Sequence, residues 1–116
     1  MTPFGERVRA LRADMGVTLK AMANDLGVSA AYLSALEHGR RGRPSPGFVQ
    51  QVSAFFNLAW DDVDDLKRLA ELSNPRVTVD TAGLSPRATE LANRLAESVR
   101  ELDETRLAIL LARLRE

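Results

Sequence analysis

Phe4, Val8, Leu11 and Met15 recur every three to four residues, which predicts a first helix over roughly residues 3–15. Pro3 suits its first turn, and Gly16 suits the position just past its end. Met22, Ala23 and Leu26 mark a second, short helix over about residues 19–26. Leu33 and Leu36 mark a third, over about residues 30–38, with Gly39 as its stop. Thr18 and Ser29 stand immediately before these two helices, and each hydroxyl can accept an otherwise orphaned amide of the first turn. Gly27 lies between the helices, where the chain must reverse through a conformation that favours glycine. Ala23 is small enough for the third helix to cross close by.

Ser45-Pro46 opens a fourth helix by cap and proline, with Phe48, Val49, Val52, Phe55 and Phe56 as its apolar face. A fifth is predicted from about Asp61 to Ser73, with Val63, Leu66, Leu69, Ala70 and Leu72 apolar and Asn74-Pro75 as its breaker. Residues 76–83, RVTVDTAG, are the only stretch with alternating β-branched character, and read either as a short strand or as an extended linker. Ser85-Pro86 repeats the cap-plus-proline signal, and Ala88, Leu91, Leu95, Val99 and Leu102 follow at helical spacing. Asp103 can cap a last helix carrying Leu107, Leu110, Leu111 and Leu114; the other reading is one helix running through without a break.

The composition, 45% apolar and 28% charged, suits a globular chain rather than a disordered one. Only 5% is aromatic, so a core built mainly of Leu, Val and Ala is expected. The absence of cysteine excludes a disulfide scaffold and thiol chemistry, and fits a reducing, cytoplasmic setting. No apolar run approaches the length of a membrane span. The formal net charge of zero hides an asymmetry. Residues 1–58 hold seven basic residues against four acidic ones, and residues 59–116 hold nine against twelve. A basic half joined to an acidic half suggests that one part meets a polyanion and the other does not.

Two short helices joined by a tight turn form the helix-turn-helix unit, whose second helix enters the DNA major groove. The stretch GVTLKAMANDLGVSAAYLSALEHGRRGRP resembles the XRE-family, or phage-repressor-like, version of this unit. The matching positions are Thr18, Ala23, Leu26-Gly27-Val28-Ser29, Leu33-Ser34, Leu36-Glu37 and Gly39. The resemblance covers roughly residues 4–73 and implies an all-α, five-helix DNA-binding domain over residues 1–73, followed by a linker and helical segment over residues 74–116. It places Ala30, Ala31 and Ala35 where members of the family read base edges. That is a departure, because alanine cannot hydrogen-bond and at most touches a thymine methyl. Thr18 and Lys20, at the start of the second helix, fall on the phosphate side. Leu19 replaces a polar residue common there. Ser29, Tyr32, Ser34 and His38 remain for base or sugar contact, with Tyr32 equally readable as a packing residue. Arg40, Arg41 and Arg43 would clamp the backbone, so affinity is expected from phosphates and specificity from methyl contacts and DNA shape. The resemblance further implies that Glu37 pairs with Arg12 inside the fold.

Leu91, Leu95, Val99, Leu107, Leu110, Leu111 and Leu114 form a stripe that the compact domain does not need for its own core. It reads as a dimerisation surface, or as a face folded back on the fourth and fifth helices. Enzyme readings find no purchase, because His38 is the sole histidine and no nucleophile–base pair or Gly-rich phosphate loop is present. Asp61, Asp62, Asp64 and Asp65 answer a helix N-terminus and lack calcium-loop spacing, so no metal or cofactor is expected. The expected function is a homodimeric transcription regulator, acting as a repressor on double-stranded operator DNA. The competing readings are the antitoxin of a toxin–antitoxin pair and a protein-interaction module, with a toxin or RNA polymerase as further partners.

Overall fold

The computed structural model describes all 116 residues, which form seven α-helices and no strand. These are α1 (Pro3–Met15), α2 (Leu19–Leu26), α3 (Ala30–Glu37), α4 (Pro46–Phe55), α5 (Trp60–Glu71), α6 (Pro86–Ser98) and α7 (Glu104–Leu114). The chain divides into two compact units, Met1–Val77 and Thr78–Glu116. The first extends past α5, because Pro75 lies beside the turn at Gly39.

The first unit is built on side-chain caps. Thr2, Thr18, Ser29 and Ser45 accept from Gly5, Ala21, Tyr32 and Phe48 amides respectively. Each satisfies a donor that the first helical turn would otherwise leave without a partner. Gly16 and Gly27 end α1 and α2 in the left-handed conformation, at φ 69° and 72°. The α2–Gly27–α3 segment is thereby fixed at both ends as a helix-turn-helix.

Phe4, Val8, Met22, Ala23, Leu33, Val49, Val52, Leu66 and Ala70 form one buried cluster drawn from all five helices. Apart from Phe4 and Met22, which are among its largest fully buried members, the cluster is made of Leu, Val and Ala, as the low aromatic content implied. Met15 is 54% exposed and Leu72 equally so. Each sits at the last turn or cap of its helix, where the helical period continues but the neighbouring helices do not. The fifth helix begins one residue earlier than expected, at Trp60, and its cap, Ala59, supplies no side-chain bond. Its first turn carries Asp61 and Asp62, which favour the positive end of the helix dipole.

Two contacts hold α1 over the end of α3. The backbone N–H and hydroxyl of Thr2 both donate to the Glu37 carbonyl oxygen, at 3.0 and 3.1 Å. Gly5 then packs so closely that a Cβ placed there would lie 2.2 Å from that same oxygen. Beside these contacts, the Phe4 amide donates to the buried Ser73 hydroxyl at 2.9 Å, and that hydroxyl donates to Leu69 O at 2.5 Å.

Across the junction of the two units, residues 77–81 adopt no regular structure. Their β-branched pattern makes no strand because the chain offers no partner strand to pair with. The α6 helix does not run through. It tightens into a 3-10 turn at Val99–Glu101, Leu102 is extended at φ −75° and ψ 129°, and Asp103 caps α7 by accepting from the Arg106 amide. Neither α6 nor α7 buries any residue.

Candidate nucleic-acid interface

The α2–turn–α3 segment presents its helix starts side by side. Thr18, Lys20, Ala21, Asn24, Val28 and Ala30 line one shallow groove between α2 and α3. In capping α2 and α3, the Thr18 and Ser29 oxygens accept hydrogen bonds at 3.0 Å. A hydroxyl that accepts still has its own O–H to donate, and donors are what a phosphate oxygen takes. The free amides at these helix starts add to the same anion preference.

The outer face of α3 is short in hydrogen-bonding groups. Ala31 is exposed, whereas Ala30 and Ala35 are half-buried, and Ala30 packs against the core. Ser34 is half-buried beneath His38, which is exposed. His38 Nδ1 lies 2.8 Å from Ser34 O. A carbonyl oxygen only accepts, so Nδ1 must carry the proton, and in the neutral ring Nε2 is left as an acceptor facing outward. His38 is the C-cap of α3 rather than its last residue. The contact with Ser34 O gives this exposed side chain a defined polar orientation at the groove edge.

Tyr32 is half-buried and packs edge-on against Phe48 of α4, with ring centroids 6.3 Å apart at 83°. Ser29 and Tyr32 share a second groove with Ser45, Gly47, Phe48 and Gln51. The start of α4 thus joins the surface, a contribution that sequence reading missed. Ser45 had been read there only as a cap, although Ser45, Phe48 and Gln51 recur every three residues along one helix face.

The three arginines after α3 do not act as one group. Arg40, Arg41 and Arg43 are all exposed, and Gly39 and Gly42, both at φ 78°, turn the loop twice around them. Arg41 folds back over Tyr32, its Cζ 5.7 Å from the ring centroid. Arg43 instead lines a groove with Pro44, Pro46, Val49, Lys67 and Arg68, and Arg68 is paired with Glu71 at 2.9 Å. None of the three loop arginines has an ion-pair partner.

Arg12 and Glu37 lie behind this surface. They meet at two points, Nη1 with Oε2 and Nη2 with Oε1, with their side chains 9% and 3% exposed. Glu37 faces the α1 side and takes no part in the outer surface.

A model of the helix-turn-helix domain matches residues 3–66. The chain is 36% identical over 61 residues to the HTH-type transcriptional repressor RghR of Bacillus subtilis, an alignment covering 53% of this chain and 45% of that protein. It is 32% identical over 63 residues to the uncharacterized HTH-type transcriptional regulator RghRB of the same organism, covering 54% and 45%. It is 31% identical over 68 residues to the HTH-type transcriptional regulator SinR, also of Bacillus subtilis, covering 59% and 61%. The chain therefore spans about half the length of the curated relatives it matches, and the family model's match runs from α1 into α5. No solved structure matches the chain. No helix is long and apolar enough to cross a membrane.

Proposed function

This chain belongs to the helix-turn-helix domain family, XRE type, whose members are DNA-binding transcription regulators rather than enzymes, and on that footing we propose that it is a homodimeric repressor acting by occupying its operator. The observation that carries the reading is the surface made by α3 and the loop after it. Three exposed, unpaired arginines there flank a helix whose outer side chains are small. Such a surface binds backbone strongly and reads bases weakly. Ala31 offers a methyl contact, His38 Nε2 an acceptor, and the rest of the selectivity comes from DNA shape. Thr18, Lys20 and Ser29 meet phosphates at the helix starts. The name of RghR, a transcriptional repressor, supports the sign of the regulation.

Dimerisation is supported by the second unit. Leu91, Leu95, Val99, Leu110, Leu111 and Leu114 are all exposed there, from 42% at Leu110 to 74% at Leu114, and Leu107 is half-buried. Apolar stripes of this kind are normally covered, and a second copy places two α3 helices on half-sites about 34 Å apart. Chain ending at Val77 is expected to be monomeric by light scattering and to lose most of its operator affinity while keeping its melting transition. A truncated chain that stays dimeric moves the interface to the first unit. Co-purification of a small basic protein with the full chain would favour the antitoxin reading instead.

A further inference from the structure

Tyr32 lies on α3 among the positions available for base or sugar contact, yet its ring is engaged by two neighbours. Its edge packs on Phe48, which fixes the ring from α4, and its backbone amide is held by Ser29 Oγ at 3.0 Å. The Arg41 guanidinium lies over the ring, its Cζ 5.7 Å from the centroid, within the range for a cation–π contact. Arg41 has no hydrogen-bond or ion-pair partner of its own, so this ring is what orders it. The left-handed glycines at 39 and 42 return the loop so that Arg41 reaches back to α3.

We propose that Tyr32 acts on DNA through Arg41, as a positioning residue that holds the guanidinium at the groove edge for a backbone phosphate. The inference rests on the DNA-binding reading above. A long arginine side chain that is free in solution loses rotamer entropy on meeting a phosphate, and one already laid on a ring loses less. The work is done by the aromatic face, not by the hydroxyl. A planar guanidinium also suits this face better than an ammonium.

The test is a double-mutant cycle on full-length protein, read by fluorescence anisotropy on a random-sequence duplex at fixed salt. Tyr32→Phe keeps the ring and is expected to bind as the parent does. Tyr32→Leu is expected to lose about two- to fivefold in affinity, the worth of an exposed cation–π contact. Combined with Arg41→Ala, it is expected to add nothing further to the loss from Arg41→Ala alone. In the free protein, ring-current shifts on the Arg41 δ-protons are expected in the parent and in Tyr32→Phe and absent from Tyr32→Leu. Equal losses from Tyr32→Phe and Tyr32→Leu, or additive losses in the double variant, overturn the inference while leaving DNA binding standing. Parent protein that does not bind duplex overturns both.

Discussion

Glu37→Ala is expected to destabilise the first unit by about 3–5 kcal/mol, the cost of removing one partner of a buried ion pair. The reason is what remains. Arg12 keeps its charge with its side chain only 9% exposed, and both of its nitrogen contacts are lost. A domain of this size has roughly 5–15 kcal/mol to lose, so most or much of the margin goes. A thermal or urea melt reads the effect directly. Arg12→Met combined with Glu37→Met is expected to melt closer to the parent than Glu37→Ala does, because it leaves no unpaired charge. A Glu37→Ala melt like the parent's would show that the pair contributes nothing. At temperatures where the variant is folded, its DNA affinity is expected to match the parent's, because Glu37 lies on the α1 side.

Gly5→Ala is the second large effect. The added methyl carbon would fall 2.2 Å from the Glu37 carbonyl oxygen and 2.8 Å from its carbonyl and α-carbons. These are main-chain atoms of α3, so no rotamer change relieves the clash. Helix α1 must instead lift from α3, which stretches both Thr2 bonds to Glu37 O. Overpacking usually costs about 1–3 kcal/mol, and an obstacle made of backbone puts this case at or beyond the upper end. Gly47→Ala is the internal comparison. It also lies in a first helical turn, but nothing stands within 4 Å of its added carbon, so a neutral effect or a gain of up to about 1 kcal/mol is expected. Equal melts for the two variants would contradict the close approach at Gly5.

These two residues show what was legible in the sequence and what was not. Local chemistry was readable. Thr18, Ser29, Ser45, Ser85 and Asp103 cap the helices that follow them, and Gly16 and Gly27 end helices in the left-handed conformation. Each depends only on residues within a turn. Gly5 gave no such sign, because its requirement comes from a carbonyl 32 positions away. Met15 shows the opposite failure, since periodicity continued beyond the partner that would have covered it. The sequence treated the loop arginines as one backbone clamp, whereas their division between Tyr32 and the Lys67–Arg68 groove depends on two left-handed glycines acting in series. The start of α4 was overlooked as surface because its Ser-Pro signal already had a sufficient structural meaning.

The most direct test of the DNA-facing role of α3 and its loop is the salt dependence of affinity, measured by anisotropy on a random-sequence duplex for the parent and for Arg41→Ala. Binding at low salt is expected to fall steeply as salt rises, and removing one phosphate-contacting arginine is expected to flatten the log–log slope by about one unit while weakening all sequences alike. An absence of binding at low salt, or a slope that Arg41→Ala leaves unchanged, would contradict it.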